Sequence, residues 1–165
     1  MADSSESKRL WRTALIVAGV GLLVLVPLGW LAVRMYNDTI QRRVVAVNEA
    51  DALYTLELIA AAEHVHLQAY GEYGTIKQLN DTGILQTEFY GDTPARAGYA
   101  YTVKLTPRTD AQAPSFSVNA DPLRSNARDA TGRRHFYISS EVIGVRYNED
   151  RPATAGDRPR QSVQE

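Results

Sequence analysis

The chain has 165 residues, 44% of them hydrophobic, with 18 Lys and Arg against 19 Asp and Glu. This length fits one small domain with a single hydrophobic core and a short additional segment. Charges of both signs are interspersed, whereas nucleic-acid-binding surfaces cluster basic residues, so no nucleic-acid partner is expected. The absence of cysteine excludes disulfides, thiolate metal sites, a cysteine nucleophile and c-type haem attachment.

The most distinctive segment is an uncharged run from Thr13 to Val33. As a helix it would span about 31 Å, close to the thickness of a bilayer's hydrocarbon core. The run predicts a transmembrane helix at 13–33, preceded by a cytoplasmic tail at 1–12. A cleaved signal peptide is the alternative, but its apolar core would be about 7 to 15 residues long and would end in a small-x-small site.

Orientation is less sharply encoded, because Lys and Arg residues lie on both sides of the run. The N-terminal cations are closer to it, which favours an N-terminus inside and a domain outside. The expected location is therefore the bacterial inner membrane, as a single-pass protein with a periplasmic domain.

Several residues of the run are candidates for membrane anchoring or helix packing. Small residues let another helix approach closely, tryptophans favour the headgroup layer, and a proline can kink the span. The lipid bilayer and other membrane protein subunits are the expected partners, in a hetero-oligomeric complex. The candidates are Ala14, Ala18, Gly19, Gly21, Pro27, Trp11 and Trp30.

The segment from Arg34 to Tyr70 contains neither proline nor glycine and stops at Gly71, which predicts one long helix. Apolar residues in its second half recur at spacings of three, four and seven, so one face should be buried. The first half is less clearly amphipathic and is a candidate partner surface, with Val44, Val45 and Val47 as its contact residues.

The region 71–147 begins with a loop-rich stretch and continues with four segments in which apolar and polar residues alternate. Such alternation predicts four half-buried antiparallel strands, covered by the amphipathic half of the helix. Residues 148–165 carry almost no large apolar side chain, which predicts a disordered tail. The predicted core comprises Leu56, Ile59, Tyr70, Tyr99, Tyr101, Val103, Phe116, Val118, Phe136, Ile138 and Val145.

Four short motifs occur in a fixed order across this region. They are Leu56, Ile59, Ala62 and Glu63; Tyr70-Gly71-Glu72-Tyr73-Gly74-Thr75-Ile76-Lys77-Gln78-Leu79; Gly98-Tyr99-Ala100-Tyr101-Thr102-Val103; and Arg134-His135-Phe136-Tyr137 with Gly144-Val145-Arg146. With these motifs the sequence resembles type IV pilins and type II secretion pseudopilins. The resemblance implies an α+β pilin-like fold, in which an N-terminal membrane helix continues into a long helix packed on a four-stranded antiparallel sheet.

One feature of that family is missing. Prepilins carry a processing site at the start of the apolar helix, with a glutamate that pairs with a neighbouring subunit during assembly. Here the run begins Trp11-Arg12-Thr13, and no acidic residue occurs between Glu6 and Asp38. The resemblance therefore implies the fold but not assembly into a filament by the family's usual route.

The only cluster that resembles a chemical site is Glu63-His64-Val65-His66. Successive helical residues rotate by about 100°, so His64 and His66 point about 200° apart and cannot share a metal ion. His66 is expected to be a packed ring and His64 to be solvated. The sequence predicts no catalytic residue, no metal site and no cofactor.

These observations favour a non-enzymatic protein that serves as an accessory or scaffolding subunit of a larger membrane assembly through protein–protein contacts. The assembly could be a pilus or secretion machine, or a respiratory or photosynthetic complex. A minor pilin-like filament subunit is an alternative. A third possibility is an enzyme or ligand binder that uses the loop from Asp81 to Gly98 as a lid near Glu63, His64 and Tyr73.

Overall fold

The computed structural model describes residues 4–89, 93–125 and 129–160, with side chains in the first helix from Gly19 onward except at 20, 22 and 24. Helix α1 spans Ser4–Tyr70 and continues through Pro27. Helix α2 spans Ile76–Asp81 and begins with a capping box, in which the Thr75 and Gln78 side chains satisfy each other's backbone N–H groups. The chain divides into two units, one up to Ile40 and one from Gln41.

Six strands form one antiparallel sheet in the second unit, in chain order from one edge to the other. They are β1 (Ala95–Arg96), β2 (Tyr99–Thr106), β3 (Ser115–Pro122), β4 (His135–Ser139), β5 (Val142–Asn148) and β6 (Arg158–Pro159). The prediction of four strands is therefore wrong in number, because it covers β2 to β5 and lacks both edge strands. Two-residue strands carry no alternation that a sequence pattern could reveal.

The first edge strand is made by a tight hairpin. Arg96 pairs with Tyr99 across Ala97 and Gly98, whose φ angles of 46° and 77° are both positive. Two positive φ angles are typical of the turns that fit the twist of a two-residue hairpin. The usual signal for such a turn is Asn-Gly or Asp-Gly, which is why Ala-Gly does not reveal it in the sequence.

The other edge lies in the segment that the sequence predicts to be a disordered tail. Strand β6 pairs with β5 through Arg146 and Pro159. Between the two strands, Ala153 is buried and its carbonyl accepts a hydrogen bond from Asn119 on the outer side of β3. The Asp157 carboxylate accepts hydrogen bonds from Asn148 and Thr154. The residues as far as 160 thus belong to the folded domain.

The core of the second unit lies between α1 and one face of the sheet. The helix contributes its face at Ala52, Leu56 and Ile59, all fully buried. The predicted core residues of the sheet are buried or partly buried in the same cluster. Tyr70 differs, because it lies 58% exposed at the end of α1, beside His66 and away from this layer. The sheet residues concerned are Tyr99, Tyr101, Val103, Phe116, Val118, Phe136, Ile138 and Val145.

The predicted membrane anchor is contradicted by the first unit. In the part of the chain that the structure describes, no helix has both the length and the apolar character that crossing a membrane requires. The predicted single transmembrane helix, the inner-membrane location and the periplasmic placement of the domain are therefore wrong on this finding.

Candidate functional site

The sheet-facing side of α1 carries buried acidic side chains as well as apolar ones. Glu49 and Glu63 are both buried, on either side of the apolar positions around Leu56. Residues seven apart lie on the same side of a helix, so Glu49, Leu56 and Glu63 share one face. Each carboxylate accepts hydrogen bonds from the backbone of a loop, and the two loops are different.

Glu63 attaches the loop that follows α1. Its Oε2 accepts a hydrogen bond of 2.8 Å from the backbone N–H of Gly74. Its Oε1 is buried and has no hydrogen-bond partner among the described residues. The side chain is completely inaccessible to solvent, and no Lys or Arg forms an ion pair with it there. A buried carboxylate with one hydrogen bond and no opposite charge is poorly stabilised in its ionised form.

This environment changes the acidity of Glu63. Burial raises the pKa of its carboxyl group from 4.5 to about 7, since desolvation disfavours the charged form. The hydrogen bond from Gly74 and the electrostatic interaction with His66 act in the opposite direction and only partly offset it. The protonated form of Glu63 is therefore favoured up to a higher pH than for an exposed glutamate.

His66 lies one turn further along the same face and is also buried. Its Nδ1–H donates a hydrogen bond of 2.8 Å to the Glu72 carbonyl, which fixes the ring's orientation. The ring stacks on Tyr70, with centroids 4.6 Å apart, and a Cβ on Gly74 would lie only 3.2 Å from it. His66 is thus a packed ring that attaches the loop to the helix.

The cluster Glu63–His66 does not converge on a reacting atom. His64 points to the other side, against Tyr73 and Phe116, with ring centroids 6.4 and 5.8 Å away. Within the described residues no group of three His, Cys, Asp or Glu side chains comes together to hold a metal ion. The cavities beside Arg42, Thr75 and Tyr147 are not lined by Glu63 or His66. Glu63 and His66 therefore do not face any of these cavities, where a substrate could bind.

Glu49 attaches a second segment, residues 130–134, which we call the strap. Its Oε1 accepts hydrogen bonds from the backbone N–H groups of Arg133 and Arg134, and its Oε2 accepts two from the Arg134 guanidinium, at 2.8 and 2.5 Å. Two amides of α1 extend the attachment, because Gln41 donates to the Ala130 carbonyl and Asn48 to the Thr131 carbonyl. The strap leads directly into β4, so it joins the helix to the centre of the sheet.

The exposed apolar side chains form a second kind of candidate site, in the first unit. Leu23 is 75% exposed and Trp30 64%, and Arg34 lies over the Trp30 ring at 5.5 Å. Gly19 and Gly21 face open space. Apart from the adjacent residues and nearby backbone of the helix itself, no described atom lies within 4 Å of the position that a Cβ would take at either glycine. Other exposed apolar side chains follow one another along the same helix: Leu25, Val26, Leu28, Leu31, Val33, Met35, Tyr36 and Ile40.

The other residues predicted for anchoring or partner binding differ in their exposure to solvent. The side chains of Trp11, Ala14 and Ala18 lie outside the described residues. Val44 and Val47 are exposed, which fits a partner surface, whereas Val45 is only 8% exposed. Val45 therefore lies on the buried side of α1, seven residues before the fully buried Ala52.

The sequence analysis missed Glu49 and the strap. Glu49 is one charge among many in a helix, and its partners lie far away along the chain. One signal was available, since Glu49 is seven residues before Leu56 and so falls on the face that the apolar pattern predicts to be buried. The strap itself, Ala130 to Arg134, has no such pattern.

Comparison of the chain with protein-family models, with curated proteins and with solved structures finds no match.

Proposed function

We propose that this protein is a non-enzymatic interaction subunit, whose α+β domain is joined to an apolar helix that binds other proteins of a larger assembly. The observation that carries the proposal is the number of large apolar side chains exposed between Leu23 and Tyr36. Soluble monomers rarely expose apolar patches larger than a few hundred Å², and larger patches mark interaction sites.

The chemistry of this surface indicates the kind of partner. In the first unit α1 is the only described element, so nothing in that unit covers its apolar side chains. Helices bury such a surface by packing ridges of side chains into grooves of another helix. The open positions at Gly19, Gly21 and Gly29 leave room for close approach. The occupant that fits is an apolar helix of a partner protein.

An enzymatic function has weaker support. The raised pKa of Glu63 is the kind of perturbation found at catalytic sites, but structural networks produce it as well. Its carboxyl group holds the Gly74 backbone, and His66 holds that of Glu72, so both side chains act on the fold. The residues needed for a nucleophile, a base and an oxyanion site do not meet around them.

The proposal can be tested with three substitutions on the exposed apolar surface. Leu25, Leu28 and Leu31 are changed together to Gln, which keeps helix propensity high and removes apolar surface. We expect the partner that copurifies with the full chain, and that rebinds it after separate purification, to lose at least about tenfold in affinity. A photo-crosslinking residue at position 28 should react with an apolar helix of that partner.

The control is the same chemistry on the folded domain. Tyr54 lies exposed on α1 in the second unit. Tyr54→Gln should leave the affinity for the partner unchanged, and a separate variant with the crosslinking residue at position 54 should not react with the partner. Replacing Glu63, His64 and His66 together by Gln should also leave the association intact. Equal affinity of the leucine variant and the full chain would contradict the proposal, and so would attachment to phosphatidylcholine vesicles without any protein partner.

A further inference from the structure

A pocket of about 270 Å³ opens where the strap crosses α1 in the second unit. Its polar rim consists of Arg42 on the helix, Arg133 on the strap and Glu149 after β5, and its floor includes Val45 and Ala46. Arg134 and Glu49 also line it, but these two side chains are already paired with each other. We call it the arginine pocket.

The two remaining arginines have unused binding capacity. Arg42 and Arg133 are exposed, and among the described residues neither guanidinium forms a hydrogen bond or an ion pair. A guanidinium presents five N–H donors in a planar fork that matches a carboxylate. The pocket holds one more cation than anion, because Arg134 neutralises Glu49 and only Glu149 opposes Arg42 and Arg133.

The backbone under both arginines is fixed before any ligand arrives. The Arg133 backbone N–H donates to Glu49 at 3.0 Å, and the residue before Arg42 is bound to the strap through the Gln41 amide at 2.7 Å. An arginine whose backbone is held in place loses less freedom on binding than one on an unattached segment. Because both arginines line the same pocket, they favour a ligand that contacts both at once.

We propose that the arginine pocket binds an acidic side chain of the protein partner, with its carboxylate between Arg42 and Arg133. Val45 and Ala46 in the floor suit the methylene carbons that precede a glutamate carboxylate. This inference extends the proposed function and identifies a second, charged contact with the partner.

The test uses a probe that requires no partner, so its failure is distinguishable from failure of the proposed function. The peptide N-acetyl-Glu-Glu-amide is titrated into the full chain, and the Nε–Hε signals of its arginines are followed by NMR. We expect saturable shifts at Arg42 and Arg133 that weaken as salt is raised. Arg42→Gln with Arg133→Gln should reduce peptide affinity at least about tenfold.

Two further variants make the result specific. Arg108 is an exposed arginine away from the pocket, and Arg108→Gln should leave the affinity unchanged. Glu149→Gln removes the opposing charge and should raise the affinity about two- to fivefold, the range of an exposed ion pair. Circular dichroism checks that each variant is folded.

Several results would overturn the inference. They are equal shifts at Arg108 and in the pocket, unchanged affinity in the double variant, and unchanged affinity in the Glu149 variant. A further one is binding of inorganic phosphate at Arg42 and Arg133 while the peptide does not bind, which would assign the pocket to a small anion.

Discussion

At each end of the buried face of α1 a buried glutamate attaches a loop to the helix, but the two glutamates have different partners. At one end Glu49 receives the strap, and at the other Glu63 receives the loop at Gly74. Both carboxylates accept hydrogen bonds from backbone N–H groups of a loop. The difference is that Glu49 also holds the Arg134 guanidinium through two hydrogen bonds, whereas Glu63 has no such cation and leaves one oxygen unpaired.

This difference should make the stability of the Glu63 attachment depend on pH. A buried carboxylate that is paired and fully hydrogen-bonded is stable as the anion, but one with neither is more stable when protonated. The pKa of Glu63 is accordingly raised to about 7. We therefore expect the Glu63 end to weaken as pH rises.

Both ends also place a glycine against a ring. A Cβ on Gly132 would come within 2.0 Å of the Tyr99 hydroxyl, which itself donates a hydrogen bond to the Arg134 carbonyl. A Cβ on Gly74 would lie 3.2 Å from the His66 ring. The strap is thus packed more tightly on the domain than the loop at Gly74.

The largest expected effect on stability comes from Leu56, which lies between Glu49 and Glu63 on the buried face of α1. Leu56→Asp would bury a charge without a partner between α1 and the sheet, and we expect it to lower the free energy of unfolding by more than about 4 kcal/mol. Urea denaturation of the full chain, followed by circular dichroism of the sheet domain, measures this loss. Tyr54→Asp, on the exposed side of the same helix, is the control. If the two variants unfold at the same urea concentration, α1 does not cover the sheet.

The next effect concerns the strap. Glu49→Ala removes four hydrogen bonds and leaves the Arg133 and Arg134 backbone groups without their acceptor, so we expect a loss of about 3 kcal/mol. Arg134→Ala should cost less, because the Arg134 side chain is partly exposed to solvent. Glu57→Ala, an exposed acid on the same helix, should cost almost nothing. A Glu49 variant as stable as the Glu57 variant would show that the strap does not depend on this carboxylate.

The third prediction concerns pH at the Glu63 end. Because the pKa of Glu63 is higher in the folded state than its ordinary value of 4.5, its contribution to stability is fully present below about pH 4.5. It is lost as pH rises through about 7. Between pH 4.5 and pH 8 this group should lower the free energy of unfolding by about 3 kcal/mol.

Glu63→Gln tests the assignment, since glutamine cannot ionise but keeps an oxygen for the Gly74 N–H. We expect the variant to be more stable than the unsubstituted protein at pH 8. Its stability should also lack the part of the pH dependence that comes from Glu63. Denaturation curves at several pH values, with Glu57→Gln as the control, provide the measurement. The same decline with pH in the Glu63 variant would assign it to another group.

The comparison of the two ends also shows what the sequence can and cannot predict. Strands β2 to β5 follow from alternation over five to eight residues, and the helix face around Leu56 follows from its helical spacing. The two-residue edge strands and the strap are determined by pairing with distant residues, such as Asn48 with Thr131. Local patterns carry no information about such contacts.

The same limit applies to the candidate site. The pattern around Glu63 places His66 on the buried face and His64 away from it, in agreement with the structure. No pattern could show that Glu63 lacks a cation whereas Glu49 has one, because Arg134 reaches Glu49 only in the folded domain. The apolar run illustrates the opposite error, in which a strong local pattern predicts a membrane span that the described residues do not contain.

The smallest expected effect tests the packing at the Glu63 end. In Gly74→Ala the new methyl group would lie 3.2 Å from the His66 ring, which must shift by a few tenths of an ångström. The ring is held by the Glu72 carbonyl and by Tyr70, so we expect a cost of about 1 kcal/mol. Thermal denaturation at pH 6 measures it against Gly156→Ala, a glycine with open space around it. That control should be neutral or slightly stabilising, because alanine reduces the entropy of the unfolded chain. A Gly74 variant that melts with the Gly156 variant would mean that His66 moves freely, and the loop would then depend on Glu63 alone.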